Sequence, residues 1–336
     1  MAIFVTGGAG FIGSQFVRDW VRKYPAQPLI NFDKLTYAGN LENLAEVEGN
    51  PAYRLVKGDV CDPNAVLDAL PDRCDAIVHF AAESHVDRSI LSAAEFVRTN
   101  VLGTQVLLDC ARQKGVGRFL HISTDEVGGD MEADEWFHED SPLDPSSPYA
   151  ASKTAAEHFV RAATRTFGLD TVITRTSNNY GPYQFPEKLL PLAISNAIEE
   201  RSIPVYGDGM QVRDWIHVAD NTTALFAVLE RGRKGATYHI GSGNPLPNIE
   251  VLKLLLRLLG RPESLLTRAP DRLGHDRRYA VDCALIRGEL GWKPEIPFAD
   301  GLRQTVEWYR DHTDWVAHAK SGEYRDYYEK MYGASV

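Results

Sequence analysis

The run Gly7-Gly8-Ala9-Gly10-Phe11-Ile12-Gly13, directly after the apolar stretch Ile3-Phe4-Val5-Thr6, restricts the fold more than any other part of this chain. Glycine tolerates positive φ and close backbone approach, so a strand can turn here at once into a helix. That helix aims its unpaired N–H groups and the positive end of its dipole at the turn, where a pyrophosphate is attracted. The run satisfies both GxxGxxG and GxGxxG. Taken alone, either spacing also fits a glycine turn that binds nothing. Asp33 adds context, because it closes the next strand-like run, Leu29-Ile30-Asn31-Phe32-Asp33, about 20 residues after the glycines. An acidic side chain there hydrogen-bonds the adenosine ribose hydroxyls and repels a 2′-phosphate, so the expected cofactor is NAD rather than NADP. The bland alternative for Asp33 is a turn residue at a strand end.

Similar short runs follow at Ala76-Ile77-Val78-His79-Phe80, Arg118-Phe119-Leu120-His121-Ile122 and Val172-Ile173-Thr174, with helix-length segments between them. This alternation predicts βαβ units and a doubly wound parallel sheet. From about Tyr180 the rhythm breaks. Pro182, Pro186 and Pro191, the turn Gly207-Asp208-Gly209, and Pro245 and Pro247 divide the chain into shorter elements. The expected class is α/β, with a Rossmann-type domain over residues 1–180 and a smaller α/β substrate-binding lobe over residues 181–336. Ala224-Leu225-Phe226-Ala227-Val228-Leu229 reads as a helix that returns to the first domain, so residues from about 212 to 242 are expected to rejoin it.

At 336 residues the chain is long for one hydrophobic core, which supports this division. With 44% hydrophobic and 24% charged residues it has the composition of a globular protein. A net charge of −10 opposes a nucleic-acid-binding surface while leaving room for local basic pockets. Cys61, Cys74, Cys110 and Cys283 form no CxxC pair. Reduced thiols are therefore expected, with no disulfide frame and no metal site. The sequence shows no charged leader followed by an apolar region and no run of membrane-spanning length. A cytoplasmic protein that does not enter membranes is expected.

Two features carry chemistry. Tyr149 and Lys153 stand four apart in a stretch that reads as helix through Glu157, so they share a face. A phenol with a pKa of about 10 needs a neighbouring ammonium to act as a base at neutral pH. Most Tyr-xxx-Lys pairs are surface residues, but this one follows a dinucleotide turn and a strand ending at Ser123. Ser123-Thr124-Asp125-Glu126 then places two adjacent carboxylates by the same site. Taking a hydroxyl proton during hydride transfer needs only Tyr149, so Asp125 and Glu126 imply a second event, an elimination. That step requires one neutral and one charged carboxyl, which closely placed groups in a partly desolvated site can provide. The alternative reading of the pair is a solvated acidic loop.

With these residues in place, the sequence resembles the extended short-chain dehydrogenase/reductases and, among them, the dTDP-glucose 4,6-dehydratases. The likeness runs through Thr6 to Gly13, Phe32 to Asn40, Ala81 to Ile90, Ser123 to Val127, Tyr149 to Lys153, Arg175 to Pro182, Arg213-Asp214-Trp215 and Asp271 to Tyr279. The glycine turn and the Tyr-Lys pair belong to the whole superfamily. Thr124-Asp125-Glu126 and the run Glu83-Ser84-His85-Val86-Asp87-Arg88-Ser89 point to the dehydratase branch. The resemblance implies conversion of dTDP-glucose to dTDP-4-keto-6-deoxyglucose and water, through transient oxidation at C4 by bound NAD, elimination across C5–C6 and hydride return to C6. Tyr149, assisted by Lys153 and Thr124, would take the 4-OH proton. Glu126 would remove the C5 proton and later return it, and a protonated Asp125 would give its proton to the departing 6-OH.

The same resemblance implies the binding residues. Gly7, Gly10, Phe11, Ile12 and Gly13 take the pyrophosphate, Asp33, Lys34, Leu35 and Thr36 the adenosine ribose, and Asp59 and Val60 the adenine. Phe80, Ala81, Ala82, Ser84, Thr99 and Asn179, with Tyr149 and Lys153, line the middle and nicotinamide side of the cofactor. Ser84, His85, Thr124 and Asn178 face the sugar. Lys188, Leu189, Leu192, Pro204, Tyr206, Arg213, Asn248, Asp271, Arg272 and His275 form the nucleotide-diphosphate site. There Arg213, Arg272 and Lys188 suit phosphates and Tyr206 suits stacking on a pyrimidine. A homodimer is also implied; the apolar helical patterns at about Ala93 to Lys114 and Tyr149 to Phe167 fit pairing between subunits or cover for the sheet. One position departs from the family. Gly128 stands where members usually carry Tyr, and widening of the sugar pocket, loosening of the loop and a changed sugar preference are all open. A 4-epimerase or decarboxylase on the same scaffold, or a non-catalytic NAD-binding regulator, are the competing readings. The Asp125-Glu126 pair opposes the first two, and retention of the whole catalytic set opposes the third.

Overall fold

The computed structural model describes residues 1–321. The first strands are β1 (Ile3–Thr6), β2 (Leu29–Asp33), β3 (Tyr53–Lys57), β4 (Ala76–His79), β5 (Arg118–Thr124) and β6 (Thr171–Thr176). They are followed by β7 (Asn178–Tyr180), β8 (Ile203–Tyr206), β9 (Val212–His217), β10 (Thr237–Ile240), β11 (Pro245–Pro247) and β12 (Leu266–Ala269). Seven form one sheet in the order β10-β6-β5-β4-β1-β2-β3, with every pair parallel. Its central strands are apolar throughout, as in Ile3-Phe4-Val5 of β1 and Ile77-Val78 of β4, because helices bury both faces. Phe16, Trp20 and Val228 pack on one face, and Leu107, Phe119 and Val160 on the other.

This is the doubly wound sheet that the strand–helix alternation predicts. The edge strand β3 carried no such signal, since Arg54 and Lys57 interrupt its apolar residues and only β2 pairs with it. The winding reverses between β1 and β4. The carboxyl ends of β1, β4 and β5 therefore open into a crevice, where sheets of this kind bind ligands.

Residues from the end of β7 onward build a second core from Tyr180, Leu190, Ile194, Trp215, Leu252, Leu255, Leu302 and Tyr309. The small sheets β11-β9-β7 and β12-β8 belong to this region. The chain also returns to the first core. Helix Val218–Arg231 lies on helix Phe11–Lys23, with the Phe226 ring 4.9 Å from that of Phe16, and β10 then extends the main sheet beside β6. A second return, at 281–292, lies beyond the expected one. Val281, Ile286, Leu290 and Trp292 join the same buried cluster around helix Ala284–Leu290, and Val281 bridges Phe137. So short a helix buries its few apolar residues only against a core that already exists, which leaves little periodicity in the sequence. Residues 322–336 of the expected second lobe lie outside the described residues. The four cysteines are free thiols, and no helix among the described residues is long and apolar enough to cross a membrane.

Candidate active site

The glycine run forms the turn between β1 and helix Phe11–Lys23. Gly7 has φ +71°, and a Cβ on it would meet the Ala81 nitrogen at 2.5 Å; one on Gly13 would meet the Gly7 carbonyl at 2.3 Å. Only glycine permits this packing. Gly10 caps the helix without a side chain, so the first N–H groups of the helix remain available to an anion at the cavity wall. Asp33 ends β2 and fixes the turn, its carboxylate accepting from Ala9 N at 2.9 Å and from Leu35 N at 2.8 Å. A glycine cradle, a bare helix N-terminus and a carboxylate at the end of β2 along one cavity fit NAD.

At the other end of that cavity β5 runs out at Thr124, and Asp125–Gly128 form a single 3₁₀ turn. The Thr124 hydroxyl caps this turn by accepting from Glu126 N at 3.3 Å and donates to Asp125 Oδ1 at 3.2 Å. Asp125 is 2% exposed, and its Oδ2 has no hydrogen-bond partner. Helix Pro148–Phe167 is started by Ser147, whose side chain accepts from Ala150 N, with Pro148 in the first turn. Its buried face carries Tyr149 and Lys153, and Lys153 Nζ donates to Ile122 O at 2.6 Å.

The two carboxyls differ in their surroundings. Burial and then the neighbouring Glu126 push Asp125 up to about 8, against the opposing charge of Arg213. Burial raises Glu126 as well, but Arg272, Lys188 and Arg213 all favour its charged form. Asp125 thus holds a proton at neutral pH while Glu126 faces three cations. Burial also lowers Lys153 to about 8, opposed by Glu157. Tyr149 is pushed upward, by burial first and then by Glu126, against a hydrogen bond with Thr124. Burial therefore dominates its ionisation, and the help expected from Lys153 does not offset it in the protein alone.

All of the expected cofactor residues except Leu35 line the deep cavity between the glycine turn and Lys153. Leu35, at φ 56°, packs on the first core and gives its N–H to Asp33. Ser84 and Thr124 line the same cavity, and the other expected substrate residues except Asp271 line a second one beside it. Asp271 stands behind, 2.5 Å from Nδ1 of His275 and accepting from Gln211 Nε2 at 3.2 Å. Glu126, Asn178, Asn179 and Lys188 border both cavities, which join there into one cleft. Arg213 is locked by the carbonyls of Val212 (2.7 Å) and Asp276 (2.9 Å) with its guanidinium 4.2 Å from the Tyr279 ring centre. Arg272 lies 3.7 Å from Asp87, and Lys188 donates to Ser84 O at 3.0 Å.

Gln184, Glu187, Asn43 and Trp315 also line the cleft and carried no sequence signal. Gln184 and Glu187 immediately follow the Arg175 to Pro182 motif, but Asn43 and Trp315 are brought in only by tertiary packing. Gly128 borders neither cavity. A Cβ there would lie 2.8 Å from the Phe137 ring, which stacks on His239 at 4.9 Å and under Arg175 at 5.0 Å. Phe137 occupies the space beside Gly128, so a side chain there requires that ring to shift.

A parallel sheet opening at its switch point onto a buried Tyr-Lys helix defines an extended short-chain dehydrogenase/reductase. The family model for GDP-mannose 4,6 dehydratase matches residues 4–305. The dTDP-glucose 4,6-dehydratase of Neisseria meningitidis serogroup B is 51% identical, over 96% of this chain and 97% of its own. The dTDP-glucose 4,6-dehydratase 1 of Escherichia coli K12 is 47% identical over 99% of both chains. Among solved structures, the dTDP-glucose 4,6-dehydratase DesIV of Streptomyces venezuelae, with NAD bound, superposes with a TM-score of 0.93 at 51% identity, covering 95% of this chain and 100% of that one. A Thermotoga maritima UDP-glucose 4-epimerase is more distant, with a TM-score of 0.87 at 28% identity over 93% of this chain and 100% of its own. The chain belongs to the dTDP-glucose 4,6-dehydratase family.

Proposed function

We propose that this chain is an NAD-dependent dTDP-glucose 4,6-dehydratase, which forms dTDP-4-keto-6-deoxyglucose and water. The observation that carries the reading is the unequal carboxyl pair at the end of β5, in the cavity that Tyr149 also lines: Asp125 is buried, with one oxygen unpartnered and its carboxyl pushed up to about 8, whereas the charges of Arg272, Lys188 and Arg213 favour the ionised form of Glu126. A 4-epimerase on this scaffold has no use for such a pair.

The Gly7 to Gly13 turn holds the cofactor pyrophosphate and Asp33 the ribose. When bound, NAD supplies the oxidant at C4 and, after elimination, the reductant at C6. Tyr149 Oη acts as the phenolate and takes the proton of the sugar 4-OH; the hydrogen bond from Thr124 and the charge of Lys153 favour that form against the burial that raises the phenol. The resulting 4-ketone acidifies C5–H, and Glu126 removes that proton. Asp125 protonates the departing 6-oxygen, so water leaves, and Glu126 returns its proton to C5. Each carboxyl thereby acts from the protonation state its surroundings favour. Arg213, Arg272 and Lys188 receive the diphosphate, and Tyr206 receives the base.

The first lobe serves the cofactor and the second the nucleotide sugar. The enzyme works as a homodimer in the cytoplasm. Leu91, Val97, Leu102, Phe159 and Phe167 lie exposed on or near the two helices expected to pair, which supports the dimer, and four free thiols suit a reducing compartment. Incubation with dTDP-glucose tests the assignment. A 4-keto-6-deoxy product with alkali-induced absorbance is expected; dTDP-galactose would favour the epimerase reading, and no turnover of dTDP-, UDP-, GDP- or CDP-glucose would favour the regulator.

A further inference from the structure

The wall of the deep cavity beside the glycine turn is closed from the second lobe. Trp315, on helix Thr313–Ala319, donates from Nε1 to Asn43 Oδ1 at 2.9 Å. Asn43 in turn donates from Nδ2 to the carbonyl of Ala9, inside the turn, at 3.2 Å. The Asn43 carbonyl accepts from Arg18 Nη1 at 2.7 Å. Both Trp315 (6% exposed) and Asn43 (2%) line the cavity, although some 270 residues separate them in sequence.

The link continues behind Trp315. Its ring lies edge-on to Tyr183, 5.7 Å between centroids, and the Arg18 guanidinium sits 4.4 Å from the Tyr183 ring centre. Tyr183 holds φ at 66°, a left-handed conformation that a non-glycine residue keeps only where packing enforces it. The next residue, Gln184, gives its carbonyl to the Tyr309 hydroxyl and donates to Asn179 O at 2.9 Å at the far end of the cavity. One aromatic cluster thus grips both ends of the cofactor cleft.

We propose that Trp315 and Asn43 form an interlobe latch that retains NAD. They are positioning residues: Asn43 is the side-chain donor to the Ala9 carbonyl, which also accepts from Asn40 N at 3.0 Å, so the turn keeps its N–H groups aimed at the pyrophosphate, and Trp315 fixes Asn43. A reaction whose two redox halves cancel requires one cofactor molecule to stay throughout, and this latch provides that residence. The inference rests on the functional reading above.

Trp315→Phe keeps an aromatic ring but removes the N–H donor together with one ring of the indole, leaving the buried Asn43 oxygen unsatisfied, whereas Asn43→Ala removes the same hydrogen bond without touching the Trp315 packing. Protein freed of unbound nucleotide by gel filtration is chased with labelled NAD, and the exchange rate is measured. Release about tenfold faster than from the unsubstituted protein is expected, with dTDP affinity unchanged. Asn43→Ala is the second variant, and combining the two should add little to either alone. Unchanged NAD exchange in both variants overturns the proposal. So does equal weakening of NAD and dTDP with a lowered Tm, which assigns Trp315 to lobe packing. An unsubstituted protein that takes up no NAD refutes the functional reading itself, whereas one that binds NAD and dTDP and turns over isolates the latch as the point at issue.

Discussion

Replacing Asp125 with Asn isolates the acid half of the proposed elimination. Its carboxyl is raised from an ordinary 3.8 to about 8 by burial and by Glu126. The protonated form therefore exceeds the ionised form by about tenfold at about pH 7, and the ratio inverts at about pH 9. Elimination should run on a plateau below about pH 8 and fall by about tenfold per pH unit above it. An acidic limb should appear below the plateau, where Glu126, itself raised above its ordinary value, becomes protonated. Asp125→Asn keeps the shape and removes the transferable proton. The elimination rate should drop by about 10²–10⁴, and the alkaline limb should disappear while the acidic limb remains. Oxidation at C4 does not use Asp125, so near-ultraviolet absorbance of reduced nicotinamide should build up after mixing with dTDP-glucose in a stopped-flow instrument. The same change should stabilise the fold. A raised carboxyl contributes stability that is fully present below its ordinary value and lost as pH rises through its folded value, between about 4 and 8. At about pH 8 the Asn variant should therefore melt a few degrees higher than the unsubstituted protein. A residual activity that keeps its alkaline limb near pH 8, or an elimination rate that does not fall, would refute the assignment.

Glu126→Gln should still reach the C4 oxidation but lose C5 exchange with solvent deuterium by about 100-fold or more, measured by mass spectrometry; unimpaired exchange removes Glu126 as the base. Gly128→Tyr should destabilise the chain by about 1–3 kcal/mol in urea denaturation, because its Cβ meets the Phe137 ring at 2.8 Å. Adding Phe137→Ala should recover part of that loss, and a Gly128→Tyr protein of unchanged stability would show that the loop does not depend on Phe137.

The strands at 3–6, 29–33, 76–79 and 118–124 were legible because a parallel sheet buried on both faces leaves uninterrupted apolar runs. The glycine turn was legible for a different reason: packing against Ala81 and the Gly7 carbonyl forbids any Cβ at Gly7 and Gly13, so the constraint is written in residue identity. Edge strand β3 and the segment around helix Ala284–Leu290 were not. The first pairs on one side only, and the second is held by a core made of residues remote in sequence.

Local order determined the reacting groups. Adjacent Asp125 and Glu126 at a strand end, and Tyr149 and Lys153 four apart on one helix face, needed only backbone geometry to be placed. What local order left open was which carboxyl carries the proton. That difference comes from Arg213 on β9, Lys188 and Arg272, which the second lobe brings around Glu126, and from the burial that isolates Asp125. Charge and desolvation act through space, so the difference between the two carboxyls on which the proposed roles rest exists only once the chain has folded back on itself. The closing of the cofactor cleft by Trp315 on Asn43 has the same origin: each residue is unremarked in its own neighbourhood, and their contact exists only because the two lobes meet.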